Sequence, residues 1–533
     1  MVQPGGQTES RPKLILGVLA LGGVAYALLQ SLVVPALPVL QHDLGTTTSG
    51  VAWVFTAYLL AEIASIPLWG RLADMFGRKR VFLLGMVIFL VGSVFCGLST
   101  SMAQLIIFRA VQGVGAGCLL PVAQTIVADL YTLEQRAKLS AVMSAVFGFS
   151  SVIGPLIGGF ITDQLSWHWV FFVNLPIGIA AIILVQTVMI EPITERHRHR
   201  LDWLGVCTLL GWTILLVFAL ETGGRDYAWG SPVIVGAFVT SAILFVAFIV
   251  AERRASEPLI PFSLFRVPAL RAASVIGVPL GMVMFAIISF LPLFVQVVLR
   301  SSATDAGRVL TPMMLAVVIG SAIGSPVVLR IGYRLMCLAS FTFLVVGTFL
   351  LTRVGVGSSQ LDVSIAMVCI GTGMGFGFIA TMLAAQNSVD LPRMGVATGL
   401  VNFTRQLGGV FGVAVAAALM LTTLTDRLKE LFPGTQIKAG ALLSPQAAAS
   451  FPPETQHLVR GAFADALHVV FVAALVIAIV GVLTVALMPR GKPSDIRDAA
   501  RAVQPEPILP DGEMLLVMPT KATVDAEGGV APP

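Results

Sequence analysis

Charge is what this chain lacks. Of its 533 residues only 11% are Asp, Glu, Lys or Arg, against about 25% in a typical soluble domain. A soluble chain of this length would need two or three cores, each under a charged skin, and the charges for such a skin are missing. The shortage also excludes a disordered chain, a collagen and a coiled coil. Cysteine is scarce too. Cys96, Cys118, Cys207, Cys337 and Cys369 all sit in apolar runs, where Cys behaves as a small hydrophobe. No disulfide is expected, and no pair has metal-ligand spacing. There is no G-x-x-x-x-G-K-[ST] loop to cradle a nucleotide. There is no H-E-x-x-H either, and no paired carboxylates at a span end, so an enzyme is not expected. What is present is apolar: 56% of residues are hydrophobic and the mean hydropathy is +0.92. The outer surface must face lipid.

Fourteen runs approach the roughly 20 apolar residues that a helix needs to cross a bilayer. They are 14–40, 50–69, 81–99, 104–128, 139–162, 169–190, 203–221, 232–251, 272–299, 307–328, 335–353, 362–386, 396–423 and 466–488. The expected fold is an all-α polytopic membrane protein. A polar N-terminus, 1–13, precedes a first six-helix bundle, 14–190. Two linker helices occupy 203–251. A second six-helix bundle, 272–488, contains one long outside loop, 424–465. The Pro-rich polar tail, 489–533, is expected to be disordered. Most of the 33 Lys and Arg lie on the side of the N-terminus, among them Arg78, Lys79, Arg80, Arg196, Arg198, Arg200, Arg253 and Arg254. Lys and Arg collect in cytoplasmic loops, so both termini are expected in the cytoplasm and the chain in the cell membrane. Trp53, Trp167, Trp169 and Trp229 then fall at outer ends, and Trp69 and Trp203 at inner ends, as interfacial belts require. The net charge of +5 is small and gives no reason to expect nucleic acid as a partner.

Ionisable groups at depth are costly and mark function. Three lie well inside the runs: Glu62, Arg109 and Arg405, with Asp129 at an inner end. Glu62 is read as the one intramembrane carboxylate. It can take and release a proton, or serve as a structural acid bonded to a neighbouring helix. Arg109 stays charged and must find partners in Glu62, Gln30 or a carbonyl, or else snorkel to the interface. Arg405 is read as a cavity cation or as a helix-packing hydrogen-bond donor.

Four stretches fall in an order that resembles a known family. Gly70-Arg-Leu-Ala-Asp-Met-Phe-Gly-Arg-Lys-Arg80 is read as a loop between two spans, with Asp74 between Gly70 and Gly77 and with Arg78, Lys79 and Arg80 following. It resembles the G-x-L-a-D-r-x-G-r-k signature of the major facilitator superfamily. Arg109-Ala-Val-Gln-Gly-Val-Gly-Ala-Gly117 resembles the family's second motif. Gly154-Pro-Leu-Ile-Gly-Gly159, after Ser150, resembles the antiporter motif through Gly154, Pro155, Gly158 and Gly159. Trp167-His-Trp-Val-Phe-Phe-Val-Asn-Leu-Pro-Ile-Gly178 resembles the entry to the sixth span of the fourteen-helix drug:proton antiporters. The span count fits that subfamily. One departure stands out. The first span there often reads L-D-x-T-I-V-N-V-A-L-P, whereas here it reads Leu28-Leu-Gln-Ser-Leu-Val-Val-Pro-Ala-Leu-Pro38. Leu29 replaces the acid and Val34 the Asn.

The resemblance implies a secondary exporter of hydrophobic or amphipathic compounds, driven by the proton gradient with no other cofactor. Its partners would be a small hydrophobic substrate, protons and membrane lipid, and it would act as a monomer. Arg109 would join Glu62 in proton coupling, and Asp74 would help latch the halves on the cytoplasmic side. On physics alone Asp74 reads as a surface ion pair worth roughly 0–1 kcal/mol. The antiporter-motif glycines would control closure of the outer half. Gln30, Gln112, Phe147, Phe285, Gln296 and Arg405 are candidates for the substrate cavity, within a wider set of Met and Phe side chains that suit varied apolar ligands. Export of a lipid or of a self-made metabolite is the alternative.

Overall fold

The computed structural model describes residues 32–189 apart from 34, 38 and 47, 201–301 apart from 225, 303–432, 453–491, and 494–495. Twelve helices among these residues are long and apolar enough to span a membrane. Of the two further spans expected, 14–40 lies mostly outside the described residues. The other, 139–162, lies within the continuous helix α4, Leu133–Gln164, whose side chains are described only in part. Without water in the bilayer core, a backbone must satisfy its own N–H and C=O groups, and helices do so segment by segment.

The order is α1 Thr48–Phe76, α2 Arg78–Gly97, α3 Met102–Leu130, α4, α5 His168–Phe172, α6 Asn174–Val188, α7 Trp203–Thr222, α8 Pro232–Arg254, α9 Pro268–Leu293, α10 Ala303–Ile331, α11 Tyr333–Thr352, α12 Gln360–Asn387, α13 Met394–Leu431 and α14 Pro453–Thr484. Polar residues placed at the turns start several of them. Ser101 accepts the Gln104 N–H at the head of α3. Thr132 and Gln135 form a capping box for α4, and Ser359 and Asp362 form one for α12. Each satisfies N–H groups that the first helical turn leaves open. α13 and α14 reach into the stretch 424–465 from both sides.

The two halves repeat one packing plan. α3 packs against α1 and α2, and α12 packs against α10 and α11. Single glycines turn the chain at matching places: Gly77 at φ +93° and Gly332 at φ +84°, where a side chain would be strained. Each half has its own apolar core. The halves meet along two seams, α1 against α13 and α4 against α10, and the α7–α8 hairpin lies on the first of these.

Candidate functional site

The signature segment is not the loop that its charges suggest. Residues 70–76 complete α1, Gly77 alone makes the turn, and Arg78 opens α2. Hydropathy ends a span where charges begin, but a helix continues as long as its ends find partners. Here the partners belong to the other half. The Asp74 carboxylate accepts the backbone N–H of Gly395 at 2.9 Å and of Val396 at 2.9 Å. These are open donors in the first turn of α13, where the helix dipole favours an anion. Arg78 pairs with Asp74 at 3.2 Å and with Asp129 at 2.7 Å, and donates to the Leu391 carbonyl across the seam at 2.5 Å. The Asp74 side chain is 1% exposed. The surface-pair reading is therefore corrected: this is a buried ion pair, and breaking one side of such a pair costs about 3–5 kcal/mol. Gly70 explains the close fit, since a Cβ there would lie 2.5 Å from the Gly395 carbonyl oxygen.

The three basic residues after Gly77 divide their work. Arg78 crosses the seam. Lys79 stays within its own half and donates to the carbonyls of Gln186 and Met189 at 2.9 and 2.6 Å, closing the end of α6. Arg80 is exposed.

Deeper in the first half a polar line runs from α3 through α1 to α13. Arg109 is fully buried, so it does not snorkel. It donates to the Val54 carbonyl at 3.0 Å and to Gln112 Oε1 at 2.8 Å. Its guanidinium lies 4.2 Å above the Tyr58 ring, a cation–π contact. Tyr58 sits one turn from Glu62 on the same helix face. Glu62 is 1% exposed, and its Oε1 accepts from Gln406 Nε2 of α13 at 3.2 Å. Arg109 stacks on Tyr58, the neighbour of Glu62 one turn away on α1, and Glu62 reaches the second half. Gln112 does not face that half. It continues the line inward, donating to Ser93 at 2.9 Å, which Asn174 also meets at 3.2 Å.

Glu62 is not the single buried acid. Asp74 joins it, as does Glu252, 3% exposed, whose carboxylate accepts the N–H groups of Leu259 and Ile260 at 3.1 and 3.2 Å. Both stand near helix ends, where sequence alone reads a solvated charge.

A third polar group also crosses between the halves. Asn402 donates to Gln124 Oε1 at 2.7 Å, and Gln386 donates to the Gln124 carbonyl at 3.3 Å. Arg405 donates to Asn402 at 2.5 Å and lies 4.7 Å from the Phe378 ring centroid. Arg405 thus makes both a hydrogen bond and an aromatic contact. Phe285 packs where α9 meets Gly409 of α13, and Gln296 lies in a π-turn at the end of α9. The side chain of Phe147 and all of Gln30 lie outside the described residues. Of the antiporter motif, Gly158 packs against the Leu32 backbone and Gly159 stands 4.0 Å from Pro35 by its Cβ position, while the Pro155 side chain is not described. Sequence reasoning missed Tyr58, Gln124, Gln386 and Asn402. The four-residue spacing of Tyr58 and Glu62 was a usable signal. The other partners come together only through packing between the halves.

Two helix bundles of one plan, joined by charged and polar contacts across a membrane-spanning seam, define a polytopic membrane transporter. The Major Facilitator Superfamily model matches residues 19–413, and the chain belongs to that superfamily. It is 36% identical to Multidrug resistance protein 3 of Bacillus subtilis (strain 168) over 489 residues, covering 90% of this chain and 95% of that one. It is 35% identical to Multidrug transporter protein MdtP of the same organism, covering 91% and 94%. The crystal structure of the human organic anion transporter MFSD10 (TETRAN) superposes with a TM-score of 0.60 at 16% identity. It covers 91% of this chain and 100% of that one, a likeness of fold.

Proposed function

We propose that this protein exports hydrophobic or amphipathic compounds in exchange for protons. The two halves rock about a central site and open it to one side of the membrane at a time. The end bearing Asp74 and Arg78 faces the cytoplasm, as do both termini. The arrangement described above is then the state closed on that side, with the Asp74–Arg78 latch holding α1 to the head of α13.

Glu62 carries the exchanged proton, and the observation behind this assignment is its bond to Gln406 across the seam. An ionised carboxylate makes a charge-assisted hydrogen bond of about 1.5–3 kcal/mol, whereas a neutral pair contributes about 0.5–1.5 kcal/mol. Protonation therefore loosens a contact between the halves, and deprotonation restores it. Glu62 takes the role that the acid at the place of Leu29 often fills in the subfamily. Efflux driven by an imposed proton gradient in vesicles tests the reading. Loss of coupled efflux in Glu62→Gln is expected, and unchanged efflux would sink the assignment.

A further inference from the structure

The two seams are finished differently. α1 and α10 hold equivalent places in their halves, each packed on the matching helix, α3 or α12. Along α10, Leu315, Ile319 and Ile323 stand 57, 55 and 54% exposed, one stripe at a four-residue spacing. Counted from Gly77 and Gly332, the matching places on α1 are Leu60, Ala64 and Leu68. Leu60 and Ala64 are only 8 and 1% exposed, and Leu60 is buried with Ile63 and Ile66 in one cluster with Val206, Leu209 and Trp212 of α7 and with Leu400, Phe403 and Val410 of α13. The inserted helix covers this seam over its middle.

Its fastenings are unequal. α7 and the segment after α8 meet α1 near both of its ends. Trp53 and Phe218 pack with ring centroids 5.7 Å apart, and Arg71 pairs with Glu257 at 3.7 Å. Towards α13 the surface is apolar and aromatic, with Trp212 edge-on to Phe403 at 5.9 Å and 89°. Trp212 is 7% exposed, and its Nε1–H has no acceptor among the described residues. Buried indole N–H groups usually find a partner. Here the side chain contributes bulk, and apolar faces without directional bonds can move past one another without leaving polar groups stranded.

We propose that the α7–α8 hairpin is a lateral seal that travels with the first half. It closes the α1–α13 seam to molecules dissolved in lipid and slides over α13 at Trp212 and Phe403 as the halves rock. The seal keeps lipid away from the Glu62–Gln406 bond, which lies one helical turn from Ile66 on α1 and from Phe403 and Val410 on α13. The sliding part rests on the alternating-access reading above, while the closure does not.

The test uses the full chain in liposomes with its five cysteines replaced by alanine. A maleimide dissolved in the lipid should label Ile319→Cys and spare Ile63→Cys. Adding Trp212→Ala should speed labelling of Ile63→Cys about tenfold or more, the change that a 1.4 kcal/mol loss of packing produces. Trp212→Phe, which keeps a ring, should preserve the protection. Equal labelling of Ile63→Cys and Ile319→Cys in the native background overturns the seal. In a second arm, cross-linking Trp53→Cys to Phe218→Cys should leave efflux intact, whereas cross-linking Trp212→Cys to Phe403→Cys should stop it until the link is reduced. Efflux that survives the second link, or is lost through the first, overturns the sliding motion. Protection of Ile63→Cys in a chain that exports nothing under any gradient would leave the closure standing and remove the transport reading alone.

Discussion

The two halves share a backbone plan and differ in what they bury at matching places. Counted from the turn glycines, Gly77 and Gly332, the positions of Tyr58, Glu62 and Asp74 correspond to Met313, Val317 and Leu329. Gly92 packs on Gln112, and its counterpart Gly347 packs on Ile370. Arg109 then corresponds to Met367. Met313, Val317, Met367 and Ile370 all lie in the apolar core of the second half. One half therefore holds the ionisable line, and the other holds its apolar replica. The second half answers with neutral groups, the Gln406 amide and the first N–H groups of α13. An acid facing neutral partners can gain or lose its proton without meeting a like charge across the seam, which suits a contact that must open and reclose. Small residues set the distance at which this works, since Gly70 lets the two backbones approach.

The comparison can be broken by making the first half resemble the second. Glu62→Gln has the largest effect on transport: proton-driven efflux falls to the level of empty vesicles, while Val317→Ala in the second half leaves it intact. Arg109→Met installs the residue of the matching position. It removes two hydrogen bonds from a charged donor, to Gln112 and to the Val54 carbonyl, each about 1.5–3 kcal/mol, and shows as a lowered melting midpoint in detergent. Asp74→Asn keeps the shape and removes the charge from the head of α13. Because Arg78 keeps Asp129 as its partner, the loss stays below that of a full break, at about 1.5–3 kcal/mol, and should make a cysteine at Val396 more accessible to a water-soluble reagent from that side. Gly70→Ala forces its Cβ against the Gly395 carbonyl and should cost about 1–3 kcal/mol. Gly399→Ala, whose nearest atom across the seam stands at 3.4 Å, should be tolerated. Arg80→Gln is the smallest, within about 0.5 kcal/mol, because Arg80 is exposed and Arg78 alone crosses the seam.

Much of this was legible in the sequence. Apolar runs placed the helices, and the cost of charge at depth singled out Glu62, Arg109 and Arg405. The signature residues were found, but their setting was not. Hydropathy ended the span at Trp69, so residues 70–76 read as loop and Asp74 as solvated. The burial of Asp74 comes from Gly395 and Val396, more than 300 residues away in the chain. The same holds for Gln406 and Glu62. Periodicity shows which face a residue occupies on its own helix but not which helix arrives opposite. The seat of α7 on the seam was hidden for the same reason: a helix that is apolar all round gives no sign of which side meets protein.

On the proposed mechanism Glu62 carries the exchanged proton at the seam between the halves. The most direct measurement is proton release in detergent solution on adding a transported compound, followed with a pH-indicator dye in weak buffer. The native chain should release protons as the compound binds, and Glu62→Gln should bind the compound and release none. Equal release from both would assign the proton to another group.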